Sequence, residues 1–252
     1  MVVHIKIIKY KKSSNGKYKV FLDNGHEILL YEDVILKYNL LLKKEIDEDT
    51  LIEIDKYNQE CDVYYVGLNS IKNRFKSIYD LRVSLIKKEY PEDLVDKAID
   101  KLIKQGYLND RSFTKSFINN KMITTNSGPY KIEKELREKK IDLDIIKEEI
   151  EVFDREEQIT RIKKIIDKGI KTNHTRGGIV LKQKIYNDLK LLGYDISLIN
   201  EVIITYTFEE DESIAKREYE KLYRKYSRKY SGDELKRKIR EKMYLKGLSY
   251  EE

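Results

Sequence analysis

The stretch LIKQGYLNDRSFTKSFINNKMITTNSGPYKIEKELREKKID, Leu102 to Asp142, contains three helix boundaries in succession. One amphipathic helix ends at Gln105-Gly106, a second starts near Asp110, and Ser127-Gly128-Pro129 breaks the chain before a third. The design is reused along the chain. Leu81, Ile132, Ile185 and Ile239 serve as apolar anchors, spaced 51, 53 and 54 residues apart. Four residues after each comes Leu85, Leu136, Leu189 or Met243, and nine after each comes Tyr90, Ile141, Tyr194 or Leu248. The tenth position holds Pro91, Asp142, Asp195 or Ser249, residue types that start helices.

The agreement extends into the next helix. Leu94-Val95, Ile145-Ile146 and Leu198-Ile199 lie three and four residues beyond that start. Ala98-Ile99, Glu149-Ile150 and Val202-Ile203 lie seven and eight beyond it, and Leu102, Phe153 and Tyr206 eleven. This is the stripe of a helix with one buried face. A preceding helix begins near Asp62, Asp110, Asp154 and Asp211. Register kept across both helices and the start position points to a true repeat of three helices. The expected segments are 61–109, 110–153, 154–210 and a truncated, basic 211–252. A three-helix unit buries too little surface to be very stable alone, so stacked neighbours are expected to form an elongated, curved array with a long binding face.

Residues 1–60 read differently. His4-Ile5-Lys6-Ile7 and Tyr18-Lys19-Val20-Phe21 alternate polar with apolar side chains, and Asn15-Gly16 and Asn24-Gly25 are hairpin dipeptides. A three-stranded antiparallel meander over 2–12, 17–23 and 26–31 is expected, followed by helices over 32–39 and 49–60. The fold class is therefore mainly α, with a small N-terminal β-meander domain.

Composition narrows the function. Of 252 residues 38% are charged and 40% hydrophobic, which suits many surface-rich helices. The single Cys61 rules out an intramolecular disulfide and a cysteine-built zinc site. No apolar run approaches the ~20 residues of a membrane span, and the first residues lack a leader pattern. A cytoplasmic, soluble monomer without membrane contact is expected. His4, His26 and His174 have no ligand partner at helical spacing, and no Walker-type loop is present. Thr175-Arg176-Gly177-Gly178 is either an anion cradle or an ordinary turn. Nothing argues for catalysis, a cofactor or a metal.

Charge is unevenly placed. The net value is +6, yet Ser213 to Leu248 carries 13 Lys or Arg against 5 Asp or Glu, leaving −2 for the rest. Arg217, Lys221, Arg224, Lys225 and Arg228 recur on one helical face, opposite a stripe of Ala215, Tyr219, Leu222, Tyr226 and Tyr230. Lys236, Arg237, Arg240 and Lys246 add charge in the next helix. Such a face suits phosphate backbone or an acidic protein groove, and is otherwise a solvated helix surface. Most of the 20 tyrosines read as core.

Gly106-Tyr107-Leu108-Asn109-Asp110 with Phe113 and Phe117, then Gly128-Pro129, Ile132, Glu135-Leu136 and Lys139-Lys140-Ile141, resembles the signature of the RecX family of RecA regulators. The family pattern runs approximately GYLDD..FA, then GP..I..EL..KGI. The chain departs at Asn109 for Asp, Thr114 for Ala and Lys140 for Gly; Lys140 defines the helix end less sharply. The resemblance covers about 60–206 well. The β-rich start and long C-terminus are similar, more weakly, to the longer Gram-positive form. The resemblance implies tandem three-helix repeats lying in the groove of the RecA–DNA filament, inhibiting ATPase and strand exchange without cofactor or catalytic residue. On that implication Lys131, Lys134, Arg137, Lys139 and Lys140, with the basic residues of the fourth repeat, face the filament or its single- or double-stranded DNA. The competing reading is a stand-alone helical DNA-binding protein that uses the basic C-terminal repeat.

Overall fold

The structure, a computed structural model, describes residues 4–14, 16–209 and 211–249. The chain divides into two compact units, Met1–Phe113 with Lys139–Ile141, and Thr114–Glu138 with Asp142–Glu252.

In the first unit, strands β1 (His4–Lys12), β2 (Lys17–Leu22) and β3 (Glu27–Tyr31) form the expected meander. Asn15 lies outside the described residues; Gly16 and Gly25 take positive φ in the two turns. Helix α1 (Glu32–Lys37) follows. The expected three strands become four, because β4 (Glu45–Asp47) joins the outer edge of β1 and gives the order β3-β2-β1-β4. Three residues, Glu-Ile-Asp, are too short to show an alternation, and Ile46 alone reaches the core.

A second correction concerns helix α2. The expected end near Glu60 and new start at Asp62 do not occur, and α2 runs unbroken from Glu48 to Asn73. Its true N-cap is Asp47, which accepts the Thr50 N–H at 2.7 Å. Asp62 is a mid-helix side chain with another task. It accepts hydrogen bonds from Lys17 (2.7 Å), Tyr31 (2.8 Å) and Tyr90 (2.7 Å). One helix thus serves two cores: Ile54 and Cys61 pack with Ile5, Val20, Leu30 and Val34, while Val63 and Tyr64 pack with Leu81, Leu85, Val95 and Leu102. Cys61 is a core residue, its thiol pushed up to about 11 by burial and then by Asp33. The free edge of β3 is closed by Asn58, whose amide accepts from the Tyr31 N–H and donates to the Leu29 carbonyl.

Helices α3 (Ile78–Ile86) and α4 (Glu92–Lys104) complete the first repeat. The second contains α5 (Asp110–Thr124), α6 (Pro129–Glu138) and α7 (Leu143–Ile150), and the third α8 (Arg155–Lys171), α9 (Gly178–Leu191) and α10 (Ile196–Ile203). The fourth has α11 (Glu212–Tyr226) and α12 (Gly232–Tyr244), the last helix among the described residues; residues 250–252, where a third helix of this repeat would continue, lie outside them. The four anchors are 0–2% exposed, and Leu85, Leu136, Leu189 and Met243 are buried with them. Asp142 and Asp195 cap α7 and α10 in the same way, each accepting the N–H groups two and three residues on.

A further regularity sits eight residues past each anchor. Glu89, Lys140, Gly193 and Gly247 have φ of 65°, 58°, 85° and 65°, so every middle helix ends in a left-handed residue. In the second unit these ends make a recurring joint. The Gly128 N–H donates to the Leu192 carbonyl (2.7 Å), and the Gly177 N–H donates to the Lys246 carbonyl (2.8 Å). A side chain at Gly128 would put its Cβ 2.6 Å from the Gly193 carbonyl oxygen, and one at Gly177 would strike the Gly247 carbonyl. The glycines of Thr175–Gly178 are therefore packed against neighbouring backbone, the turn reading rather than the anion cradle.

Candidate functional site

Helix α11 places its cations by simple periodicity. Ile214, Ala215, Glu218 and Leu222 are buried, so Arg217, Lys221, Arg224, Lys225 and Arg228, at steps of three, four and one, are all exposed. The Arg217 guanidinium donates to the His174 carbonyl at 2.7 Å, anchoring the turn before α9. Lys221 lies 3.6 Å from Glu218 and Arg224 lies 3.7 Å from Glu220. The Lys225 ammonium sits 5.5 Å from the Tyr226 ring centre. Arg228 and, on α12, Lys236, Arg237 and Arg240 are exposed and have no ion pair among the described residues. The Arg224–Glu220 pair, exposed on both sides, holds its charges loosely and is worth about 0–1 kcal/mol.

Two side chains depart from the sequence reading. Glu218 is 2% exposed and bonded to the Lys246 ammonium, with Lys221 beside it. Burial works to raise this carboxyl, but the Lys246 hydrogen bond and charge outweigh it, and the group titrates below the ordinary carboxylate range. Lys246 is thus a half-buried structural partner rather than part of the open basic face. A carboxylate in phase with Ile214, Ala215 and Leu222 was the available signal. Of the tyrosines, Tyr219, Tyr226 and Tyr230 pack against the core as expected, whereas Tyr223 is exposed and stacks on Tyr219 at 6.3 Å.

The second-repeat cations form a separate set. Lys131, Lys134 and Arg137 are exposed on α6, opposite buried Ile132 and Leu136, and Arg137 lies 3.4 Å from Glu133. Lys139 is half-buried, 2.7 Å from the Asp80 carboxylate and 5.8 Å from the Phe113 ring centre. Lys140 is exposed in its left-handed position. Phe113 is buried, like Ile132 and Leu136, so these signature residues build the fold. Asn109, where the pattern prefers Asp, caps α5 by accepting the Ser112 N–H at 2.9 Å. Among the described residues there is no cluster of three metal-ligating side chains, and no helix long and apolar enough to cross a membrane.

Residues 109–149 match the family model for the second three-helix domain of RecX. A regulatory protein RecX from Halalkalibacterium halodurans is 29% identical over 97% of this chain and 95% of its own length. A second, from Lactococcus lactis subsp. lactis, is 30% identical over 91% of this chain and 88% of its own. The chain belongs to the RecX family. A crystal structure of a regulatory protein RecX, 24% identical, superposes with a TM-score of 0.68 over 79% of this chain and 98% of the other, and so shares the fold. The matched residues span α5, α6 and nearly all of α7, and α6 and α7 are the helices whose apolar residues keep the repeat register.

Proposed function

We propose that this chain is a cytoplasmic, monomeric regulator that binds the groove of the RecA–DNA filament and damps recombinase ATPase and strand exchange. Family membership supports the RecA partner. The observation that carries the contact surface is the exposed basic face of the fourth repeat, where Arg228, Lys236, Arg237 and Arg240 have no ion pair among the described residues. Cations left loose in this way are available to phosphates or to an acidic groove. Lys131, Lys134, Arg137 and Lys140 offer a second contact, with Lys139 contributing chiefly through Asp80. The repeats 61–109, 110–153, 154–210 and 211–252 are proposed to follow successive protomers.

The test is RecA ATPase on single-stranded DNA with substoichiometric amounts of the protein. Inhibition is expected, and an unchanged rate at large excess would sink the reading. Arg217, Lys221, Arg224 and Arg228 changed together to Glu should leave the helical spectrum intact and weaken cosedimentation with filaments. The stand-alone DNA-binding reading rests on the same basic face. It requires tight binding to naked DNA, with a salt slope of about 0.7–0.9 per phosphate contacted. Binding that needs recombinase argues against it.

A further inference from the structure

The two edges of the N-terminal sheet are treated differently. On β3 the Asn58 amide closes the edge. On the other side, β4 pairs only with His4, Ile5 and Lys6 of β1, and the last bond runs from the Ile7 N–H to the Lys44 carbonyl at 2.8 Å. Beyond it the register shifts between Ile7 and Lys9, a bulge that leaves Ile8 68% exposed. The rest of β1 stays paired to β2, but no described strand pairs with its outer side. Because the Ser13 N–H donates to the Lys17 carbonyl, the antiparallel alternation turns Lys11 and Lys9 toward β2. The main-chain groups of Tyr10 and Lys12 therefore point outward.

Charge supplies a second, independent observation. The first 44 residues contain nine lysines against four carboxylates, a local excess that lies outside the C-terminal basic region. Lys6, Lys17 and Lys19 are paired with Glu45, Asp62 and Glu27. Lys9, Lys11 and Lys12 have no ion pair among the described residues, and neither have Lys43 and Lys44 beside β4. Lys11 also stands directly opposite Lys19 in the register, a like-charge pair that sheets disfavour. Glu27 relieves Lys19 at 2.7 Å and leaves Lys11, which is exposed, without a counter-charge of its own among the described residues. Exposed Leu41 and Leu42 lie within three residues of the Lys44 carbonyl, a reach of about 10 Å of chain.

We propose that the Ile8–Lys12 edge of β1 accepts an extended acidic segment of a partner protein as an added strand. Edge lysines repel neutral and basic strands. The same lysines select a strand whose alternate carboxylates meet Lys9 and Lys11, while main-chain bonds to Tyr10 and Lys12 supply the affinity. Ile8 gives an apolar contact at the bulge. This inference is independent of the basic face on α11.

The experiment uses the full chain and a synthetic peptide of roughly eight residues alternating Glu with Val, the length of an ordinary strand. Binding is read by fluorescence anisotropy, and the site by amide hydrogen exchange. Exchange at Tyr10 and Lys12 should slow by about tenfold or more on saturation. The peptide N-methylated at every second nitrogen, in either phase, keeps its charge but cannot pair in a sheet, and should not bind. Changing Lys9, Lys11 and Lys12 together to Gln, or to Glu, should abolish binding while circular dichroism stays unchanged. Equal binding of the N-methylated peptide, equal binding of a Lys–Val peptide, unprotected Tyr10 and Lys12 amides, or no binding of the Glu–Val peptide would each overturn the proposal.

Discussion

The Gly177 N–H donates to the Lys246 carbonyl at 2.8 Å, and this is the same bond, one repeat later, as Gly128 to Leu192. Both donors precede the first turn of a middle helix, and both acceptors lie seven residues past an anchor. The joint is built from main chain, and it requires that nothing project from the glycine.

Gly128→Ala and Gly177→Ala should each destabilise the second unit by about 1–3 kcal/mol, the range for overpacking. The added methyl would meet the backbone of the next repeat rather than a yielding side chain. Urea unfolding checks this. Gly16→Ala, where the space is open and only the positive φ opposes a side chain, should lose less, about 1 kcal/mol.

Lys140 and Glu89 hold left-handed backbone without being glycine. Lys140→Gly and Glu89→Gly should therefore stabilise by up to about 1 kcal/mol, raising Tm by a few degrees in a calorimetric scan. Unchanged or lowered Tm would mean that neither residue is strained.

The Glu218 carboxyl has a folded pKa below its ordinary value of 4.5. Its contribution to stability is fully present above about pH 4.5 and is lost as the pH falls through the lower folded value. Lys246→Met leaves the buried carboxylate without its main partner, a loss of about 3 kcal/mol. The double variant Glu218→Leu with Lys246→Met should recover most of that, and should flatten the acid limb of a Tm against pH curve. An acid limb identical in wild type and double variant would contradict this.

Asp62 ties Lys17, Tyr31 and Tyr90 to α2, and burial with the Asp62 hydrogen bond pushes the Tyr90 phenol up to about 12. Asp62→Ala should move that titration toward the ordinary tyrosine value of 10.0, visible in alkaline ultraviolet difference spectra. Stability should fall by about 1–3 kcal/mol as the three donors lose their acceptor.

Much of this architecture is legible in the sequence. Amphipathic stripes report burial directly, so the anchors, Leu94-Val95 and Leu198-Ile199 were placed by period alone. Asp142 and Asp195 announced their helices because capping is local. What failed was information held between distant residues. Asp62 looks like an N-cap in sequence, and only Lys17, Tyr31 and Tyr90 reveal it as a mid-helix acceptor. Glu218 owes its buried charge to Lys246, 28 residues away on the chain. Strand β4 has no pattern of its own, since its order comes from β1. The left-handed position was half hidden because Glu89 and Lys140 occupy it as well as glycine. The exposed cations on α6 and α11 were located by periodicity, but a charge on a helix face does not name what it touches.

The joint from Gly128 to Leu192 and from Gly177 to Lys246 carries one more implication. The main-chain bond itself reads no side chain, although at the first joint Tyr194 also donates to the Asn126 carbonyl and Tyr130 to the Asp195 carboxylate. Any repeat ending in the left-handed turn offers the same carbonyl to any repeat beginning with a bare glycine. Duplicating or excising a whole repeat between equivalent seams would keep this bond, whereas an insertion inside a repeat would part the donor from its acceptor.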